Sequence, residues 1–260
     1  GRPLGLHLEG PFFHPECAGA QNPAFLREPD FAAVQEWNRI YPVRKVSFSP
    51  ELSGGVEFCR QLTKLGIMPS GAHSTADFAC FQQARLAGMK HLTHFCNMMT
   101  PLHHLEPGMV GGGLLADDVY VELIADGVHL TGEMLRIILK LKGPERIMLI
   151  TDGMRASGMP DGDYTLGGLA VTVRGGRATL VTGQVAGSLL QYCDGLKRLR
   201  SLQLFPDSEL IRCAGSNQAR SLGLPGIGEL RSGFFADFLI ADDEWTPLAV
   251  WCGGREQVLR

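Results

Sequence analysis

No stretch of this 260-residue chain is long and apolar enough to cross a bilayer, so a membrane span is not expected. Positive charge is not in excess either. Lys plus Arg number 24 against 27 Asp plus Glu, a formal charge of -3, which argues against a nucleic-acid partner or an anionic membrane surface. No CxxC pair occurs. The seven cysteines (17, 59, 80, 96, 193, 213 and 252) are scattered and odd in number, which speaks against a zinc finger or a disulfide frame. They read as reduced thiols of a cytoplasmic protein. An initiating methionine and a signal peptide are also absent: the chain opens at Gly1 and is inside a strand by Leu4, as expected of a fragment whose earlier part is missing. What is present is 45% hydrophobic and 20% charged, a composition for one large α/β domain, or one domain with a small appendage.

Six apolar runs follow one another: LGLHLEG (4–10), RKVSFSPE (44–51), GIMPSGAHS (66–74), KHLTHFCN (90–97), VYVELIADG (119–127) and RIMLITDG (146–153). Amphipathic or helix-rich segments lie between them at 30–40, 55–65, 76–88, 109–116 and 131–141. Strand and helix alternating at this pitch imply a parallel sheet with right-handed crossovers.

The first run raises the chemical question. Leu4, Leu6 and Leu8 alternate as in a strand, Gly10-Pro11 stops it, and Glu9 stands at its last position. The other runs end in the same way: His73, His94, Asp126, His129 and Asp152 all fall at or just past a strand end. In a (β/α)₈ barrel such ends open on one face, where residues distant in sequence converge. Taken singly, each has a plainer role, a solvated loop histidine or a turn aspartate. Taken together, a glutamate and two imidazoles form a ligand set for one divalent transition metal, with positions left open. An aspartate beside them can take a proton from water and pass it to a leaving group. The expected chemistry is metal-assisted hydrolysis, with Glu9 on its strand end as a metal ligand.

Several segments resemble the amidohydrolase superfamily, and within it the N-acetylglucosamine-6-phosphate deacetylase family. They are HLEGPF (7–12), GAQNP (19–23), GAHSTADF (71–78), HLTHFCNMMTPLHHLEPGMVGG (91–112), ELIADGVHL (122–130), LITDGM (149–154), DGDYTLGGLAVTV (161–173), VAGSLL (185–190) and ADF (236–238). The resemblance runs in order over nearly the whole chain. It implies an α/β fold, a metal-dependent (β/α)₈ TIM-type barrel of which strands three to eight are present, with part of a small C-terminal β-sandwich. Residues 1–227 would be the barrel portion, with a two-stranded β-hairpin inserted at about 161–184, and 228–260 the C-terminal half of the sandwich. Helices at 187–202 and 207–222 would complete the outer layer.

The resemblance also implies roles. Glu9, His73 and His94 would hold the metal and Asp152 would be the catalytic acid/base. Gln21, Asn97, Met98 (through its backbone), His129, Val185, Ala186 and Gly187 would contact the substrate. The implied cofactor is a divalent metal, zinc, iron, cobalt or manganese. One ion or two stays open, because the HxH pair of the first barrel strand lies outside this sequence. The implied reaction releases acetate from N-acetylglucosamine 6-phosphate, a small-molecule amino-sugar phosphate, in a homodimer. One position departs from the family pattern. HHREPG is usual where this chain has His103-His104-Leu105-Glu106-Pro107-Gly108, and that arginine resembles a phosphate ligand donated across the dimer interface. Leucine cannot grip an anion as an arginine does. A different N-acetylated amino sugar, a dihydroorotase-like or deaminase-like relative, and a non-catalytic sugar-binding protein are therefore the alternatives.

Overall fold

The computed structural model describes residues 3–258. Six strands, β1 (Leu6–Glu9), β2 (Val43–Phe48), β3 (Met68–Gly71), β4 (His91–Leu92), β5 (Tyr120–Ile124) and β6 (Ile147–Ile150), form one sheet in sequential order. All five neighbouring pairs are parallel. Helices α1 (Phe31–Ile40), α2 (Gly55–Lys64), α3 (Phe78–Leu86), α4 (Gly108–Leu115) and α5 (Gly132–Lys142) make the crossovers. Their starts are written locally. Asp30, Asp77 and Thr131 accept hydrogen bonds from the backbone N–H groups of Ala33, Cys80 and Met134, satisfying donors that a helix N-terminus leaves free.

The two faces of the sheet differ chemically. Val46, Phe48, Leu92, Val121, Leu123, Ile147 and Leu149 join Phe58, Leu62, Phe81 and Leu135 in the main core between sheet and helices. The opposite face carries Lys45, Ser47, Ser70, Thr93 and Glu122, all buried. Lys45 pairs with Glu122, and Thr93 Oγ1 lies 2.7 Å from both Ser47 Oγ and Ser70 Oγ. The sheet curls around this polar face: His7 and Glu9 of β1 share one trough with Leu149, Ile150 and Asp152 at the other end of the sheet.

Four expectations are corrected. Residues 161–184 form three strands rather than a hairpin of two, β7 (Gly162–Leu166), β8 (Leu169–Arg174) and β9 (Arg177–Leu180). The reason is a pair of turns, Gly167-Gly168 and Gly175-Gly176, whose positive φ values suit tight hairpin connections. Helix α6 runs over Tyr192–Ser201 only, because Ser188, which precedes it, is spent on the loop after β6. The 207–222 helix is broken into α7 (Asp207–Leu210), a 3₁₀ turn and α8 (Ser216–Ser221), the break lying at the extended Gly215. Leu4, expected within the first strand, precedes β1, and Leu4 and Leu6 are 40% and 39% exposed, β1 lying at an edge of the sheet among the described residues. Strands β10 (Phe238–Ala241), β11 (Pro247–Cys252) and β12 (Arg255–Gln257) make a separate antiparallel sheet.

Candidate active site

The loops leaving β1, β3, β4, β5 and β6 at their C-terminal ends line one cavity of about 300 Å³. His73, His94 and Asp152 all sit there with left-handed backbone, φ 47°, 35° and 51°. Such a conformation in a non-glycine residue costs of order 1–3 kcal/mol and persists only where its surroundings enforce it. Here they do. Ser74 N–H donates to Met98 O at 2.9 Å, Phe95 N–H to Glu122 O at 2.8 Å and Ser188 N–H to Asp152 O at 2.7 Å, tying each bend to a neighbouring loop or strand.

His73 Nε2 and His94 Nε2 are 3.0 Å apart, and Glu9 Oε1 lies 3.4 Å from the first and 3.3 Å from the second. Donor atoms of a tetrahedral site with bonds of 2.0–2.1 Å are separated by about 3.3–3.4 Å. The triangle therefore has the size and the chemistry of one face of a metal coordination sphere. His73 is prepared for that role. Its Nδ1 donates to Cys17 O at 2.7 Å, which leaves the Nε2 lone pair toward Glu9. Phe13 stacks on the same ring at a centroid distance of 4.3 Å. Gly19 closes over it: a Cβ there would sit 3.2 Å from both His73 Cε1 and Met98 Cγ, and its φ is +59°. His94 has no such support at its other nitrogen: its Nδ1 is buried without a partner among the described residues.

Burial would raise the pKa of Glu9, but the facing His73 and His94 rings outweigh it and hold the carboxyl well below its ordinary value. His94 shows the converse. Burial would lower it, and the bond to Glu9 raises it. Asp152 has no such donors. Burial, followed by the like charge of Glu9, pushes it up to about 6, where a carboxyl can both accept and return a proton near neutrality.

Gln21, Asn97, Met98, His129, Val185 and Gly187 also line the cavity. Asn97 spends its amide N–H on His94 O and Phe95 O at 3.0 and 3.3 Å, which leaves its carbonyl free to face a ligand. Ala186 is corrected. It is fully buried in a second apolar cluster with Met154, Val171 and Ala178, and its N–H donates to Ala178 O, so it does not reach the cavity. Leu105 is 80% exposed and outside the cavity. Residues that sequence reading missed include Gly19, Ala20, Gly153 and Met154, which adjoin motif positions. Leu166 and Gln184 were also missed; they arrive from the three-stranded sheet with no local signal. Among the described lining residues there is no lysine or arginine.

A solved N-acetylglucosamine-6-phosphate deacetylase from Thermotoga maritima matches this fold with a TM-score of 0.93 at 37% identity, covering 97% of this chain and 69% of that one. The N-acetylglucosamine-6-phosphate deacetylase of Lysinibacillus sphaericus is 37% identical over 242 residues, 92% of this chain but 62% of the relative. The N-acetylgalactosamine-6-phosphate deacetylase of Escherichia coli O157:H7 is 36% identical over 255 residues, 97% of this chain and 67% of the relative. The chain thus spans less than two thirds of the Lysinibacillus relative's length. No protein-family model matches it. Identity at this level over a shared α/β amidohydrolase fold, with the strand-end glutamate, histidines and aspartate gathered in one cavity, places the chain in the N-acetylglucosamine-6-phosphate deacetylase family.

Proposed function

We propose that the protein to which this chain belongs hydrolyses the acetamide of N-acetylglucosamine 6-phosphate to glucosamine 6-phosphate and acetate, in amino-sugar catabolism. The observation that carries the reading is the meeting of Glu9, His73 and His94, within 4.8 Å of one another, with Asp152 in one cavity. Glu9, His73 and His94 would hold a divalent ion, which when bound supplies Lewis acidity to polarise the amide carbonyl and make water more acidic. Zinc, iron, cobalt and manganese all accept such ligands.

Asp152 then does the proton work. It takes a proton as water oxygen bonds to the carbonyl carbon, and gives it to the amine nitrogen as the carbon–nitrogen bond breaks. His129 and the Asn97 carbonyl would orient the sugar, with Gln21 near the acetyl group and the Met98 backbone, Val185 and Gly187 completing the wall. We assign residues 1–227 to a barrel portion and 228–260 to part of a sandwich, the latter supported by the separate sheet β10–β11–β12. A homodimer fits the exposed Leu102 and Leu105 on the loop that resembles an interface. A reducing, cytoplasmic setting fits the seven unpaired thiols.

A different acetamido sugar is the second reading, favoured by the absence of a cationic side chain among the described lining residues and by Leu105. The test is acetate release by the metal-loaded protein from N-acetylglucosamine 6-phosphate, its galactose epimer and the unphosphorylated sugars. Release fastest from the first supports the proposal. Stoichiometric metal binding with no acetate from any of them leaves a sugar-binding protein instead.

A further inference from the structure

His129 enters the mechanism above; Asp126, three residues earlier on the turn after β5, does not. We propose that Asp126 is a positioning residue that holds His129 as its Nδ1–H tautomer, so that Nε2 is the nitrogen presented to the bound sugar phosphate. The role of the histidine rests on the acetamido-sugar reading, whereas its tautomer rests on geometry alone.

Both carboxylate oxygens of Asp126 are engaged. Oδ1 accepts from the backbone N–H groups of Val128 and His129 at 2.8 and 2.9 Å, and Oδ2 lies 2.7 Å from His129 Nδ1. An ionised carboxylate can only accept, so Nδ1 must carry a proton. Burial would raise the pKa of Asp126, but the bonds from His129 and the two backbone N–H groups outweigh it and keep the group ionised. The two side chains are only 12% and 8% exposed, so water competes little for either. The turn is clamped from outside as well. The Arg198 guanidinium from α6 lies so close over Gly127 that a Cβ there would stand 2.4 Å from it. Nε2 then accepts from a hydroxyl when the ring is neutral and donates to an anionic oxygen when it is protonated.

Replacement by asparagine makes a sharp test. The two backbone N–H groups still demand an oxygen at Oδ1, which turns the amide NH₂ toward His129. The ring must then accept at Nδ1, and its proton moves to Nε2. Nitrogen-15 NMR of the metal-loaded, histidine-labelled protein at alkaline pH reads this directly. Wild type should show His129 protonated at Nδ1, and Asp126→Asn should show it protonated at Nε2, with kcat/KM lowered roughly tenfold or more, as the loss of a hydrogen bond to a charged group allows. A merely structural aspartate would not invert the tautomer. Wild-type protein protonated at Nε2, or an unchanged tautomer in Asp126→Asn, overturns the proposal. The wild-type spectrum decides the tautomer even where the variant fails to fold. Failure of wild type to release acetate, with the Nδ1–H tautomer present, counts against the functional reading and leaves the Asp126–His129 geometry standing.

Discussion

Asp152 differs from Glu9 in what donates to it, and that difference separates their tasks. Two imidazoles hold Glu9 ionised, while burial and the neighbouring charge of Glu9 keep Asp152 near pKa 6. Asp152→Asn preserves shape and removes the base, so kcat should fall by two orders of magnitude or more, about what general acid/base catalysis supplies, with metal content unchanged. Steady-state kinetics beside metal analysis checks this; an unchanged kcat would assign the proton to another group. The same residue predicts a pH effect in the metal-free protein. Because its folded pKa lies above the unfolded carboxyl value of about 3.9, ionising Asp152 costs stability as pH rises from about 4 through 6. At two pKa steps this is about 2–3 kcal/mol. Asp152→Asn should therefore be more stable than wild type at pH 8, and the advantage should vanish near pH 4. Urea unfolding at both values measures it, and an advantage of equal size at both would point to packing rather than charge.

At the level of elements, the strands bring residues to one rim and the loops give them their direction. The runs and helices were legible because apolar periodicity is a local signal. The left-handed bends at His73, His94 and Asp152 were not, because hydrogen bonds to Met98 O, Glu122 O and Ser188 N–H, contacts between loops and strands, impose them. The segment carrying Gly19 shows how a loop can decide a site. A Cβ at Gly19 would press on His73 and Met98, and its φ of +59° is a conformation that suits glycine. Gly19→Ala should cost about 1–2 kcal/mol from the backbone alone. It should also push on the His73 ring, weakening metal binding as well as turnover. Metal titration with thermal unfolding tests this, and a stability loss with unaltered metal affinity would show that the loop absorbs the methyl.

The whole molecule draws its stability from an apolar core on one side of the sheet and leaves a polar trough on the other. An ion held by residues from β1, β3 and β4 ties separate parts of the sheet together and should stabilise the fold by mass action. At a free metal concentration a hundredfold above Kd the gain is about 2.7 kcal/mol, seen as a lower Tm after chelation. His73→Ala should abolish that shift, whereas a shift retained in full would place the metal elsewhere. Leu105 belongs to this scale because its exposed loop lies outside the cavity of its own chain. In a dimer that brings it to the neighbouring cavity, Leu105→Arg should lower KM for the phosphorylated sugar roughly tenfold or more, as a hydrogen bond to a charged group allows. KM for the unphosphorylated sugar should not move. Equal responses, or none, would show that the loop does not face the phosphate.

By itself the sequence determined the alternation of strand and helix, the strand-end positions of Glu9 and Asp152, and the polar residue types found at them, since periodicity and turn chemistry act over a few residues. Tertiary structure decided the rest. It turned one expected hairpin into three strands and withdrew Ala186 into an apolar cluster. It also set the 3.0–3.4 Å donor triangle and the upward shift of Asp152. Each of these depends on which groups meet across the fold, through burial, charge and hydrogen bonds between residues far apart in the chain.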